Sequence, residues 1–114
     1  MQLPALHLLS AAALLLAPAV SACESGYSKV FCQCVEQTGI SSYKYDSSAT
    51  QQACLKYSMD HDNAFDYQGS IALCWNKKGG RHAQKICATE FHQDCPDGTS
   101  ANCADTSNDP NLVH

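Results

Sequence analysis

Two groups of residues have the types that catalysis uses. His61 and Asp62 are adjacent in an acidic stretch, residues 60–67, in which aromatic residues follow the pair. A histidine beside a carboxylate has the types to take a proton from water. The plainer reading of the same stretch is a solvated acidic loop. The second group is Arg81, His82, Glu90 and His92. Phosphodiester cleavage needs a His or Glu as base, a His as acid and an Arg on the phosphate. On one helix, residues 81 and 90 are about 14 Å apart at ~1.5 Å per residue. They cannot form one site unaided, and a helix with charged ends accounts for them. No serine stands in a Gly-x-Ser-x-Gly context. The expectation is therefore a protein with no catalytic residues and no cofactor.

Other side chains suit binding rather than reaction. Trp75, with Lys77 and Lys78 after it, is either an exposed edge or part of the core. In so small a domain Trp is more often core. Lys77-Lys78 could be a dibasic processing site, though a plain turn explains it. Tyr43, Tyr45, Tyr57 and Tyr67 are rings with polar tips, which suit contacts with sugars or proteins.

The strongest signal is the cysteine set: Cys23, Cys32, Cys34, Cys54, Cys74, Cys87, Cys95 and Cys103. An even number in a short chain reads as a disulfide framework, here of four bridges. Zinc is the competing use. No pair has the two-to-four-residue gap of a zinc knuckle, and Cys32-Gln33-Cys34 is too tight for one, so no metal is expected. Each bridge contributes about 2–4 kcal/mol. That matters because the strong apolar residues are few: Val30, Phe31, Val35, Ile40, Leu55, Phe65, Ile71, Leu73, Trp75, Ile86 and Phe91 are the expected core.

The compartment agrees with the cysteines. Leu8 to Val20 is nearly all Leu and Ala, too short to span a bilayer and interrupted by Pro18. Val20-Ser21-Ala22 is an acceptable signal-peptidase site, so residues 1–22 are expected to be a signal peptide cleaved after Ala22, with Ala19 second. The n-region lacks Lys and Arg. Val20-Ser21-Ala22-Cys23 also resembles a bacterial lipobox, but lipid on Cys23 would leave an odd number of cysteines. No stop-transfer segment or apolar C-terminal anchor tail is present, so a freely secreted, extracellular protein with no membrane anchor is expected. The chain has 11 acidic and 7 basic residues and a formal charge of −4. That balance disfavours binding to nucleic acid or to anionic membranes. No Asn-x-Ser/Thr sequon occurs.

The elements that must position these residues follow from local pattern. Residues 27–35 alternate as a strand, with Val30, Cys32 and Cys34 on one face and Phe31, Gln33 and Val35 on the other. Residues 39–48 read as a polar loop. Asp46, Ser47 and Ser48 offer helix caps, with Ser48 and Gln51 spaced as a capping box, before a helix over 49–57. Residues 59–67 read as a loop, 69–75 as a second strand, and 76–80 as a turn. A second helix is expected over 81–91, with Ala83, Ile86, Cys87 and Phe91 on one face. Pro96-Asp97-Gly98 marks a turn before a short strand over 99–104, and 105–114 is expected to be a flexible tail. The fold class is α+β: a small disulfide-rich domain over 23–104, an antiparallel sheet with two helices packed on one face. In that layout Cys32 and Cys34 share a strand face and should bridge to Cys54 and Cys87 on the helices. Cys23, Cys74, Cys95 and Cys103 would then pair among themselves.

With these motifs in place, two resemblances can be weighed. His61-Asp62 resembles the dipeptide of secreted phospholipase A2, but no Gly-rich calcium loop precedes it and no cysteine lies within a helical turn. The chain more broadly resembles the small secreted cysteine-rich proteins of filamentous fungi, many of them candidate effectors. The likeness rests on Cys32-Gln33-Cys34, on Ala49-Thr50-Gln51-Gln52-Ala53-Cys54, on Tyr67-Gln68-Gly69 before Cys74, and on the helix carrying Cys87. It covers most of residues 30–87. Some of those proteins resemble a killer-toxin α/β fold with two helices on an antiparallel sheet. The resemblance implies an extracellular protein acting on a host or competitor, and it carries over no catalytic residue; the expectation is a monomeric secreted virulence protein that binds a host protein or glycan. The alternatives are a toxin-like or antimicrobial protein, and a small calcium-dependent lipid hydrolase using His61-Asp62.

Overall fold

The computed structural model describes residues 23, 25–68, 72–77 and 84–114. The expected signal peptide and cleavage site, the strand residue Ile71, the glycine turn, and Lys78, Arg81, His82 and Ala83 lie outside them. The described chain is α+β. A 3-10 turn (Ser25–Tyr27) leads into β1 (Ser28–Lys29), β2 (Phe31–Gln37), β3 (Tyr43–Tyr45), α1 (Ser47–Met59), β4 (Phe65–Gln68), β5 (Leu73–Asn76), β6 (Ile86–Cys87), α2 (Ala88–Asp94) and β7 (Ser100–Ala104).

Strand β2 organises the main sheet, and every pairing is antiparallel. Val35 lies opposite both Tyr45 and Ser100, and Cys32 opposite both Cys74 and Cys103. β7 therefore runs along one side of β2, while β5 and β3 follow each other along the other side, with β4 outside β5. The alternation read from the sequence holds in β2. Cys32 and Cys34 enter the helix-side core with Ala53, Cys54, Tyr57 and Phe91. Phe31 packs with Leu73, Ala104 and Leu112 on the other side. Residues 32–35 are all buried, because both faces of this strand are covered.

Several boundaries move for identifiable reasons. The expected strand over 27–35 is two: β1 pairs separately with β6, and Val30 breaks the run. α1 is longer than expected and is capped by Asp46, whose carboxylate accepts the Ala49 N–H at 2.9 Å. Gln51 and Ser48 do not form the cap; Gln52 instead donates to Ser48 at the surface. Buried Thr50 accepts the Cys34 N–H at 2.9 Å, which fixes the start of α1 to β2. The expected loops hide strands β3 and β4. Asp62 and Asn63 adopt left-handed backbone (φ 58° and 56°), reversing the chain between α1 and β4. Their short polar side chains tolerate that conformation better than most. The second helix begins at Ala88, not at 81. Ile86 and Cys87 are extended and pair with β1, so their shared burial with Phe91 comes from a strand pair followed by a helix. The turn at Pro96 forms as expected, with Gly98 at φ 92°.

The four disulfides are Cys23–Cys87, Cys32–Cys103, Cys34–Cys95 and Cys54–Cys74. All eight cysteines are used, but the expected bridging of Cys32 and Cys34 to Cys54 and Cys87 does not form. β7 lies beside β2 in the sheet: Cys103 sits directly opposite Cys32, their Cα atoms 4.1 Å apart. Cys34 reaches Cys95, just past α2, and Cys54 reaches down to β5. Two expected core residues are on the surface: Ile40 is 95% exposed and Leu55 66%. The remaining large buried side chains are few, led by Tyr57, Phe91 and Ile86, so the bridges carry a large part of the stability.

Residues 105–114, expected to fray, fold back across the face of the sheet opposite the helices. Leu112 is buried against Leu73 and Ala104. The Gln33 carboxamide accepts the Val113 N–H at 2.7 Å and donates to the Val113 carbonyl at 2.9 Å. A polar composition hid this segment because its anchor is one apolar side chain and two backbone groups.

Candidate functional site

His61 follows the end of α1, and its backbone N–H returns to the Ser58 carbonyl at 3.0 Å. Its ring stacks on Tyr57, with centroids 4.0 Å apart, and meets Phe65 edge-on. Nδ1 lies 2.7 Å from the Tyr57 carbonyl, an acceptor only, so Nδ1 carries a proton and donates it. Nε2 lies 3.4 Å from Oε1 of Glu90 on α2. The partner of His61 is thus Glu90, not the adjacent Asp62, which sits exposed in the left-handed turn. Two residues from separate candidate groups meet, and no spacing in the sequence pointed to it.

This geometry makes a clamp rather than a base. A general base needs a nitrogen lone pair facing substrate. One nitrogen of His61 is held by a carbonyl and the other faces a carboxylate. Nδ1–H donates to the Tyr57 carbonyl and Nε2 faces the Glu90 carboxylate, so the ring ties the end of α1 to α2. A cleft of about 480 Å³ opens beside the pair, with Ser28, Gln84 and Lys85 on its walls.

His92, of the phosphodiester group, serves the scaffold. His92 Nδ1 accepts the Ala101 N–H at 3.2 Å, joining α2 to β7. Arg81 and His82 are outside the described residues. Asp94 lies 3.8 Å from Lys56. Burial pushes the Asp94 carboxyl above its usual range, Lys56 opposes the shift, and Asp60 and Glu90 add to it. Among the described residues, no group of three or more His, Cys, Asp or Glu could hold a metal ion.

The tyrosines separate into two kinds. The Tyr45 hydroxyl donates to the Ala72 carbonyl at 2.7 Å and lies 3.1 Å from the Tyr67 hydroxyl. Tyr67 in turn lies 2.8 Å from Ser47 Oγ. Burial, with the Tyr67 contact, raises the Tyr45 phenol to about 12. This network pins Ala72, which sits at φ 57°. Tyr57 is buried and its hydroxyl accepts the Cys87 N–H at 3.0 Å. Burial raises its phenol as well. Tyr43 and Tyr27, by contrast, are half exposed. Trp75 is partly buried and stacks with Phe31 on the face away from the helices, its Nε1 enclosed without a hydrogen-bond partner among the described residues. That placement is mainly structural. Lys77 gives its backbone N–H to the Ala64 carbonyl.

The C-terminal segment makes a groove. Val35, Tyr43, Ser100 and Asn102 form its floor and one side, and Asn111 and Val113 the other, around about 370 Å³. Asn102 donates to Gln33 Oε1 at 2.8 Å and to the Asn111 carbonyl at 2.9 Å. The one hint in the sequence was Gln33 itself, a polar residue between two core cysteines on a strand. Comparison with protein-family models, with curated proteins and with solved structures finds no match to this chain.

Proposed function

We propose that this chain is a secreted, disulfide-framed interaction protein that acts outside the cell, in the manner of a fungal effector, by binding a host protein or glycan. One observation carries the reading: four disulfides join the start of the described chain to β6, β2 to both β7 and the end of α2, and α1 to β5. Such a framework persists in oxidising surroundings and would be lost to the reducing cytosol. It also keeps a small core folded where proteases are abundant.

The surface supports a binding role. Ile40, Leu55 and Met59 are 95%, 66% and 66% exposed, and Leu55 and Met59 lie one turn apart on α1. Exposed apolar side chains grouped on one element suit a protein contact. Strand β4, at the edge of the sheet, is a poor place for strand addition. Ser58 Oγ accepts the Phe65 N–H at 3.1 Å and donates to its carbonyl at 2.8 Å, and Asp66 takes the Tyr67 N–H. No helix of the described residues is long and apolar enough to cross a membrane.

The test is expression of the full chain in a eukaryotic secretory host. The reading expects protein in the medium, beginning at Cys23, with no free thiol. Retention in the cell with reduced cysteines would overturn it.

A further inference from the structure

The groove beside the C-terminal segment carries polar groups that the scaffold's own bonding leaves unused. Its walls hold one aromatic ring, two carboxamides and a hydroxyl, with Val35 and Val113 between them. Among the described residues no Asp, Glu, Lys or Arg lines it, in a protein of 16% charged residues. Glu36 and Lys44, the charged neighbours on β2 and β3, lie opposite each other and alternate to the other face of the sheet from Val35 and Tyr43. A volume of about 370 Å³ lies within the ~300–1,000 Å³ of small-molecule sites.

Polar capacity is left over there. Asn102 uses its amide protons on Gln33 and Asn111, which fixes the carboxamide and leaves Oδ1 as an unspent acceptor. The side chains of Ser100, Asn111 and Tyr43 have no hydrogen-bond partner among the described residues. Tyr43 lines the groove and is 49% exposed.

We infer that this groove binds a neutral oligosaccharide. A pyranose ring has an apolar C–H face and a rim of hydroxyls. The face packs on the Tyr43 ring, and vicinal hydroxyls pair with the Asn102 and Asn111 carboxamides and with Ser100. An anionic ligand would find no cation, and an apolar one would leave the carboxamides unpaired. Because Asn102 is already held by Gln33, little order has to be created on binding. The inference rests on the proposed extracellular binding role and names the ligand class.

The experiment is an NMR titration of the oxidised, ¹⁵N-labelled protein with pentamers of glucose, mannose and N-acetylglucosamine, and with a galacturonate pentamer as the anionic control. At least one neutral pentamer should saturate, with shifts at Tyr43, Ser100, Asn102 and Asn111, and the anionic pentamer should not. Tyr43→Ala should weaken binding by about tenfold, while Tyr43→Phe keeps most of it. Should Tyr43→Ala fail to form four disulfides, Asn111→Ala, at a surface position, replaces it with the same expectation. No saturation with any neutral pentamer, shifts mapping elsewhere, or unchanged affinity in the folded variant would overturn the inference. Secretion and a complete disulfide set would still stand in that case, so the two readings fail separately.

Discussion

The side chain of Gln33 holds both backbone groups of Val113, 80 residues away, as a neighbouring strand would. Gln33 is buried at the centre of β2, and its Oε1 also accepts from Asn102. One carboxamide thus joins the central strand, β7 and the C-terminal segment.

Gln33→Ala would leave the Val113 N–H, the Val113 carbonyl and one Asn102 amide proton without protein partners. An unmet buried polar group costs about 1–3 kcal/mol, and water can reach part of this site. The expected loss is about 2 kcal/mol by chemical denaturation. Faster amide exchange at Leu112 and Val113 should accompany it, with exchange in α1 little changed below the global unfolding limit.

The His61–Glu90 pair spans α1 and α2 with both side chains partly open to water. A double-mutant cycle with His61→Ala and Glu90→Gln should therefore return a coupling of about 0.2–1 kcal/mol. His61→Ala alone should cost more than Glu90→Gln, because it also removes the ring stacked on Tyr57. A coupling indistinguishable from zero would contradict the clamp.

Asp94 predicts a dependence on acid. Its folded carboxyl titrates above the unfolded value of 3.8, mainly through burial. The stability it contributes is present below that value and lost as pH rises through the folded one. At pH 7 the carboxylate is a cost that Lys56, at 3.8 Å, only partly offsets. Asp94→Asn should hold or raise the melting temperature at pH 7 relative to the parent, and bring no gain at pH 3.

Tyr45 predicts the alkaline counterpart. Its phenol is raised from 10.0 to about 12. Its contribution is complete below pH 10 and is lost as pH rises through about 12. Stability should fall across that window, and Tyr45→Phe should flatten the fall while lowering stability at pH 8, since the bond to the Ala72 carbonyl is gone. An unchanged alkaline slope in the variant would contradict the assignment.

The parts of the fold legible in the sequence are those set by local pattern. The two faces of β2, the helix carrying Cys54 and the turn at Gly98 follow from alternation, capping and glycine chemistry. The cysteine pairing was not legible, because it depends on β7 lying beside β2 and on the extended conformation of Cys87. Burial of Ile86, Cys87 and Phe91 fits a helix face and a strand-then-helix equally well. The His61–Glu90 pair and the Tyr43 groove were also out of reach, since both join segments distant in sequence. The tail escaped because Val113 is held through its backbone, which composition does not register.

The central claim, a secreted chain framed by these four bridges, is tested most directly by peptide mapping of the unreduced protein from the medium. The account predicts a chain starting at Cys23, eight hydrogens lighter than its reduced form, with Cys23–Cys87, Cys32–Cys103, Cys34–Cys95 and Cys54–Cys74 linked. Free thiols, or a map joining Cys32 or Cys34 to Cys54, would contradict it.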